Sequence, residues 1–483
     1  MNRRLLLKFG ASFPFVLPLL GLKATEAKPL LRPLTDPTTE LDLLKLAPGF
    51  SYRSFGWTGD KMTTGHLTPD RHDGMAVVPG KEGNELLLLR NHERYIGPGF
   101  TNWAGDAYDQ AAVDYGTESP DVPGGGVTAV TLKNGTYSAT TPILAGTMVN
   151  CAGGPTPWGT WLSCEEIVYR RSLEKSTNDH EPKDHGYVFE AIPAHLGKSS
   201  HKAIKNMGFM RHEATAVDPK TGYVYLTEDN NDLSGFYRFI PNDDSQKPGA
   251  LDRGGRLDML QVNEGKLTNL IEAPFKSEYD VSWVEIQEPD ADPQTLVPAF
   301  EGGPKAVGQG MSGPFLQGAA QQAARFCRGE GCWYHGGLVY FIDTAGGPTR
   351  NGSVWAYDPK NEKLTNCFAS SSELMADAID NITVNPINGA IVVCEDGGGI
   401  SNADNELIMG ARLLVLGSDN TARVIAENNV RIDKTLEQKE TIQVDNYQSS
   451  EWAGATFSLD GKVLYVNIQS PGITFAIEGP WLG

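Results

Sequence analysis

Histidine is scarce in this chain, with nine among 483 residues, and no His-rich zinc motif appears. A zinc phosphatase site built on several histidines and a serine nucleophile is therefore not visible. Cysteine is no richer: Cys151, Cys164, Cys327, Cys332, Cys367 and Cys394 fit no zinc spacing, and a chain of this size does not need disulfides. Most of them read as small buried residues. There is no Gly-Lys-Ser/Thr phosphate loop, no dinucleotide fingerprint, and no Gly-x-Ser-x-Gly elbow around Ser163. Apolar runs long enough to stay in a bilayer are missing too. The modestly apolar stretch from Phe9 to Leu22 is short and holds Pro14 and Pro18, which argues against a permanent span. Positive charge is in deficit, with 41 Lys and Arg against 60 Asp and Glu and a net charge of −19. Such a chain is a poor partner for nucleic acid or anionic lipid.

The one basic segment lies at the N-terminus. Arg3 and Arg4, followed by Leu5-Leu-Leu-Lys8, resemble a twin-arginine export signal, and small residues near Ala24 and Ala27 offer a cleavage site. The reading divides the chain into an export signal at 1–27 and one catalytic domain at 28–483. A plain secretory signal is the alternative. Proteins taken by the twin-arginine machinery fold before they cross the membrane, which favours free thiols.

What the chain has in abundance is turns, with 54 Gly and 30 Pro, and short apolar stretches between them. Self-comparison finds related segments. Residues 73–93, 212–230, 380–397 and 451–469 each hold a polar start, a short strand, a Pro/Gly or Asp-Gly turn and a second strand. Looser copies lie at 151–166 and 332–347. Their turn chemistry makes each a hairpin, and an isolated hairpin must pack on something. Repetition around an axis predicts an all-β, six-bladed β-propeller with long insertions between blades and a few short helices. One of these helices is expected over 317–326. A β-sandwich is the alternative.

In a hairpin, the start of the first strand and the end of the second share one end, so the six segments aim their acids at one channel mouth. The second strands end in Asn-His-Glu93, Ser-Cys-Glu165, Leu-Thr-Glu228 and Val-Cys-Glu395, and acids follow the last three at Glu166, Asp229 and Asp396. A ring of like charges is costly unless cations neutralise it. Oxygen-rich surroundings suit calcium, magnesium, manganese or ferric iron. His72, His92, His212 and His335 lie inside the repeats as ligands or as groups that orient ligands. Cys164 stands beside the acids, where a thiolate points to a softer metal. Spacing leaves open whether it is a ligand or a packed core thiol, since Cys394 occupies the equivalent place. Arg328, in Arg328-Gly-Glu330, is suited to bidentate grip of a phosphate or carboxylate, or else to pairing with Glu330.

These motifs resemble the PhoX-type alkaline phosphatase family. The matching stretches are Asp70-Arg-His-Asp-Gly-Met75, Asn91-His-Glu93, Gly153-Gly-Pro-Thr-Pro-Trp-Gly-Thr-Trp-Leu-Ser-Cys-Glu-Glu166, Arg211-His-Glu-Ala214, Leu226-Thr-Glu-Asp229, Arg328-Gly-Glu-Gly-Cys-Trp333, Cys394-Glu-Asp-Gly397 and Ser450-Glu-Trp-Ala-Gly-Ala455. The resemblance implies a six-bladed propeller exported to the periplasm or beyond. It also implies a monomeric phosphomonoesterase acting on small phosphorylated substrates at a cluster of ferric iron and calcium. In that family a cysteine thiolate binds iron, which here implies Cys164. The resemblance further implies Glu213 and Glu330 as ligands and Arg328 as a phosphate contact. Motif match and hairpin geometry add Glu93, Glu165, Glu228, Asp229, Glu395 and Glu451 as ligands. Rival expectations are a calcium-dependent propeller lactonase or phytase, and a binding propeller whose calcium only staples the blades.

Overall fold

A computed structural model describes residues 31–98, 103, 105–116, 119–263, 268–293 and 311–482. The expected export segment at 1–27 lies outside the described residues. Strand follows strand along the chain, and Gly313–Ala320 is the one α-helix among the described residues. That helix starts four residues before the expected 317 and ends well before 326. Ser312 caps it by accepting the N–H of Phe315, and Gln322 at φ 67° has already left helical space. No helix among the described residues is long and apolar enough to cross a membrane.

The related segments all form antiparallel hairpins. They pair His72–Pro79 with Glu85–His92, Asn150–Pro155 with Trp161–Glu165, and His212–Val217 with Val224–Glu228. Gly329–His335 then pairs with Leu338–Asp343, Ile379–Val384 with Ile391–Glu395, and Trp452–Phe457 with Val463–Ile468. The first strand of each hairpin packs against the first strand of the next, and the last packs back onto the first, so these strands close a ring. Further strands extend outward from each hairpin. The arrangement is all-β and propeller-like.

The sheets do not separate into six equal blades. Four stand alone, with six, three, four and four strands, while the third and fourth hairpins share one nine-stranded sheet. The cause is the insertion between those hairpins. Its outer strand Glu278–Ile286 pairs with Lys363–Ala369 of the next unit and joins the two edges. The circle is tied at its outer rim by the N-terminal region: Ser51–Phe55 pairs with Ile473–Glu478, and Leu44–Leu46 with Thr421–Asn428.

The core lies between neighbouring sheets. Leu162 and Val188 meet Val217, Val224 and Leu226 in one apolar cluster; Val392 and Leu413 meet Phe457, Leu464 and Val466 in another. Each such side chain, fully buried, contributes about 1.5–3 kcal/mol. At the ring the strands come too close for side chains. A Cβ on Gly74 would lie 2.5 Å from Cα of Ala152, and one on Gly331 would lie 2.6 Å from the carbonyl oxygen of Asp380. Polar side chains lock the same junctions. Asn91 donates to the carbonyls of Cys151 and Ala152 at 3.0 and 2.7 Å, Thr227 to Glu330 at 2.6 Å, and Asn467 to Asp73 at 2.7 Å. Three of the four carbonyls so fixed, those of Cys151, Glu330 and Asp73, belong to residues whose side chains meet at the axis.

Candidate metal centre

A one-residue bulge near the start of each ring strand builds the centre. In the first hairpin His72 pairs with His92 and Met75 with Arg90, so Asp73 and Gly74 together face Asn91. The same slip occurs after Asn150, His212, Gly329 and Ile379, which sets Cys151, Glu213, Glu330 and Asp380 at equivalent places. A bulge bends the strand and re-aims a side chain. The residues that follow the second strands, Glu93, Glu166, Asp229 and Asp396, come up beside them. Their amides donate to the carbonyls of Arg71, Val149, Arg211 and Ala378 at 2.9 to 3.1 Å.

Nine side chains therefore meet in four overlapping groups. Cys151, Glu166 and Glu213 form one, and Glu213, Glu330 and Asp380 the next. Asp380, Asp396 and Glu451 follow, and Asp73, Glu93 and Glu451 complete the set, with ligand atoms within 4.8 Å of one another in each group. Of the residues expected from sequence, Glu93, Glu213, Glu330 and Glu451 are in these groups. Asp229 sits at their edge, bound to Arg328 at 3.1 Å.

Four expected ligands are elsewhere. Glu165, Glu228 and Glu395 lie one position before the residues that face the axis, and one step along a strand turns a side chain to the opposite face. Each is buried and engaged. Glu165 accepts from the amides of Met148, Gly186 and Tyr187 at 2.8, 2.8 and 3.2 Å and meets His185 at 2.6 Å. Glu228 accepts from the Tyr237 hydroxyl at 2.5 Å, and Glu395 holds the buried Arg412 in two contacts of 2.5 and 2.7 Å. Cys164 is fully buried across the bulge from Cys151, among Leu162, Val188 and Leu226, and burial pushes its thiol well up. The cysteine in the centre is Cys151. Sequence reasoning missed it, along with Asp73, Glu166, Asp380 and Asp396 as members. The signal was present, because Cys151 opens its segment where Asp73 and Asp380 open theirs.

Arg328 is held by two carboxylates, the expected Glu330 and also Asp229. Its Nε donates to Asp229 at 3.1 Å and its Nη2 to Glu330 at 2.7 Å, while 30 % of its side chain stays exposed. These two carboxylates hold its guanidinium charged, well above its ordinary range. Arg71 and Arg211 precede their ring strands as Arg328 does. An open cleft of about 290 Å³ lies beside Glu93, lined by Asp70, Arg71, Arg94, Tyr95, Ile96 and Val149.

Burial, then mutual repulsion, raises seven of the acids of the centre. Asp73 and Asp380 are pushed up to about 7 and Glu93 to about 8; Glu166, Glu213, Glu330 and Glu451 rise well above the carboxylate range. An acid with a raised folded-state pKa binds more protons folded than unfolded between pH 4 and its new value, so stability falls as pH rises through that window. Each such group costs up to about 1.4 kcal/mol per pH unit. Chelator-treated protein is expected to melt at progressively lower temperature from pH 5 to 8.5, and added calcium to raise the melting temperature more at pH 8.5 than at 5. A scan of melting temperature against pH checks this; a flat profile would contradict it.

Comparison with known proteins points one way. A family model described as alkaline phosphatase PhoX matches residues 30–143 and 123–472. Among solved structures, PhoX of Pseudomonas fluorescens, in complex with vanadate, a transition state analogue, superposes with a TM-score of 0.59 at 17% identity, covering 93% of this chain and 98% of that one. A gluconolactonase from Xanthomonas campestris matches at a TM-score of 0.34 and 11% identity, over 88% of this chain and 100% of that one. No curated protein matches the chain.

Proposed function

This chain belongs to the alkaline phosphatase PhoX family, and from that premise we propose that it releases phosphate from phosphate monoesters at the ring of acids on its axis. Family membership makes it a metal-dependent phosphomonoesterase. The observation that carries the placement is the convergence of nine potential ligands into four overlapping groups.

The donor chemistry fits the implied metals. Carboxylate oxygens suit calcium, so the three groups made only of acids are assigned to it. The group of Cys151, Glu166 and Glu213 adds a thiol and is assigned to ferric iron. When bound, the cations supply Lewis acidity toward the phosphoryl oxygens. The chain's own residues do the rest. The bulges present the ligands, and the ring strands behind them hold their spacing. Counted by its first strands the ring has six members, and we read it as a six-bladed propeller with two blades fused at the rim. Arg328 binds the phosphate, oriented by Asp229 and Glu330 on one side of its fork. The leaving alcohol departs into the cleft beside Glu93.

The twin-arginine signal and the six free thiols fit a chain that folds and takes up metal before export, then acts as a periplasmic or secreted monomer on small phosphate esters. Arg328→Ala is expected to lower kcat/KM for p-nitrophenyl phosphate about 100-fold and to weaken vanadate inhibition, with cation content unchanged. Arg328→Lys should restore little, because an ammonium cannot reproduce the fork. Unchanged kinetics in Arg328→Ala would remove the residue from the phosphate site.

A further inference from the structure

In four of the hairpins, the last residue of the second strand reaches back to the turn that leads into the ring strand. Asp343 Oδ1 accepts the amide of Cys327 at 3.0 Å, Glu165 Oε1 that of Met148 at 2.8 Å, and Glu395 Oε1 that of Asp377 at 2.9 Å. His92 makes the equivalent contact through Nδ1 to the carbonyl of Asp70 at 3.0 Å. The pinned backbone group lies in each case three residues before a side chain of the centre: Glu330, Cys151, Asp380 and Asp73. All four pinning side chains are buried.

What they hold is a strained turn. The residue after each pinned one, Arg71, Val149, Arg328 or Ala378, adopts φ of 54°, 48°, 56° or 42°, the left-handed region that residues other than glycine avoid. The third hairpin ends in Glu228, which bonds to Gly235 and Tyr237, and the sixth ends in Ile468. Their ring strands are preceded by residues outside the left-handed region. Pin and strain thus occur together, in the same four hairpins. The strained residue's carbonyl also receives the amide that follows the second strand, at Glu93, Glu166, Thr344 and Asp396. One pin therefore fixes the approach to the ring strand and, through that carbonyl, the residue beyond the second.

We propose that Asp343, Glu165, Glu395 and His92 are positioning residues that hold the ligands of the centre in binding geometry before a cation arrives. They touch neither substrate nor cation. Asp343 is the cleanest test, because it is fully buried and its Oδ1 takes the Cys327 amide directly, while burial pushes its carboxyl well up. Asp343→Asn keeps an acceptor oxygen for Cys327, and Asp343→Leu removes it.

The experiment takes purified holoenzyme and measures, by elemental analysis, the chelator concentration that strips half of the bound calcium and iron, with near-UV circular dichroism as the check on folding. Asp343→Leu is expected to lose its cations at about tenfold lower chelator, and Asp343→Asn to stay within about twofold of wild type. Asp343→Ser stands in for the leucine variant should that one not fold. Wild-type chelator resistance in the leucine or serine variant overturns the proposal. So does an asparagine variant as sensitive as the leucine one, since charge and not hydrogen-bond acceptance would then matter. The proposal rests on the centre binding cations. If wild type holds none, that reading fails; if wild type holds them and Asp343→Leu holds them as tightly, only the pins fail.

Discussion

Glu213→Gln is expected to abolish hydrolysis, with kcat down at least about 1,000-fold, and to strip cations from more than one place. The reason is its position. Glu213 offers oxygens both to the group of Cys151 and Glu166 and to that of Glu330 and Asp380. It is 2 % exposed, and burial together with the charges of Asp380 and Glu166 drives its carboxyl well up. That energy is recovered when cations bind an ionised carboxylate, and an amide cannot supply the charge. The fold should survive. Removing one of several repelling acids is expected to make the chelator-treated variant melt higher than chelator-treated wild type at pH 8.5. Elemental analysis, steady-state kinetics and melting curves read the three effects together. A variant with full cation content and activity within tenfold of wild type would contradict the shared-ligand assignment.

The two cysteines facing each other across the second bulge are both buried in one apolar cluster, and only the sulfur of Cys151 comes within ligand reach of the acids. Cys151→Ala is expected to remove iron, leave the all-carboxylate groups able to bind calcium, and reduce activity at least about 100-fold. Cys164→Ala removes a buried thiol from an apolar cluster. Its cost is packing, about 1–3 kcal/mol, with iron and activity kept in the protein that folds. Iron content per chain, measured for both variants, decides between them. Iron lost with Cys164 and kept with Cys151 would reverse the assignment.

The hairpins were legible because turn chemistry is local. Asp218-Pro-Lys-Thr-Gly222 and Asn385-Pro-Ile-Asn-Gly389 each announce a reversal between two apolar runs. Which acid faces the axis was not legible in the same way. Alternation along a strand locates a side chain only to the first bulge, and every ring strand bulges at its functional end. The doublets Glu165-Glu166, Glu228-Asp229 and Glu395-Asp396 thus looked interchangeable. The choice between their members is made by partners that lie beyond the hairpin, 9 to 20 residues further along the chain: His185 for Glu165, Tyr237 for Glu228 and Arg412 for Glu395. The fused rim was hidden for a similar reason, since it depends on pairing across an insertion of irregular composition.

The central claim is that phosphate esters are hydrolysed at cations held by this ring. Its most direct test follows p-nitrophenyl phosphate hydrolysis and bound metal in one preparation of the full chain through chelation and restoration. Iron and calcium should both be bound at the start; activity should vanish as they leave, and return only when both are restored. A preparation that carries calcium alone and does not turn over, or one that hydrolyses the ester at full rate after every cation is stripped, would contradict the account.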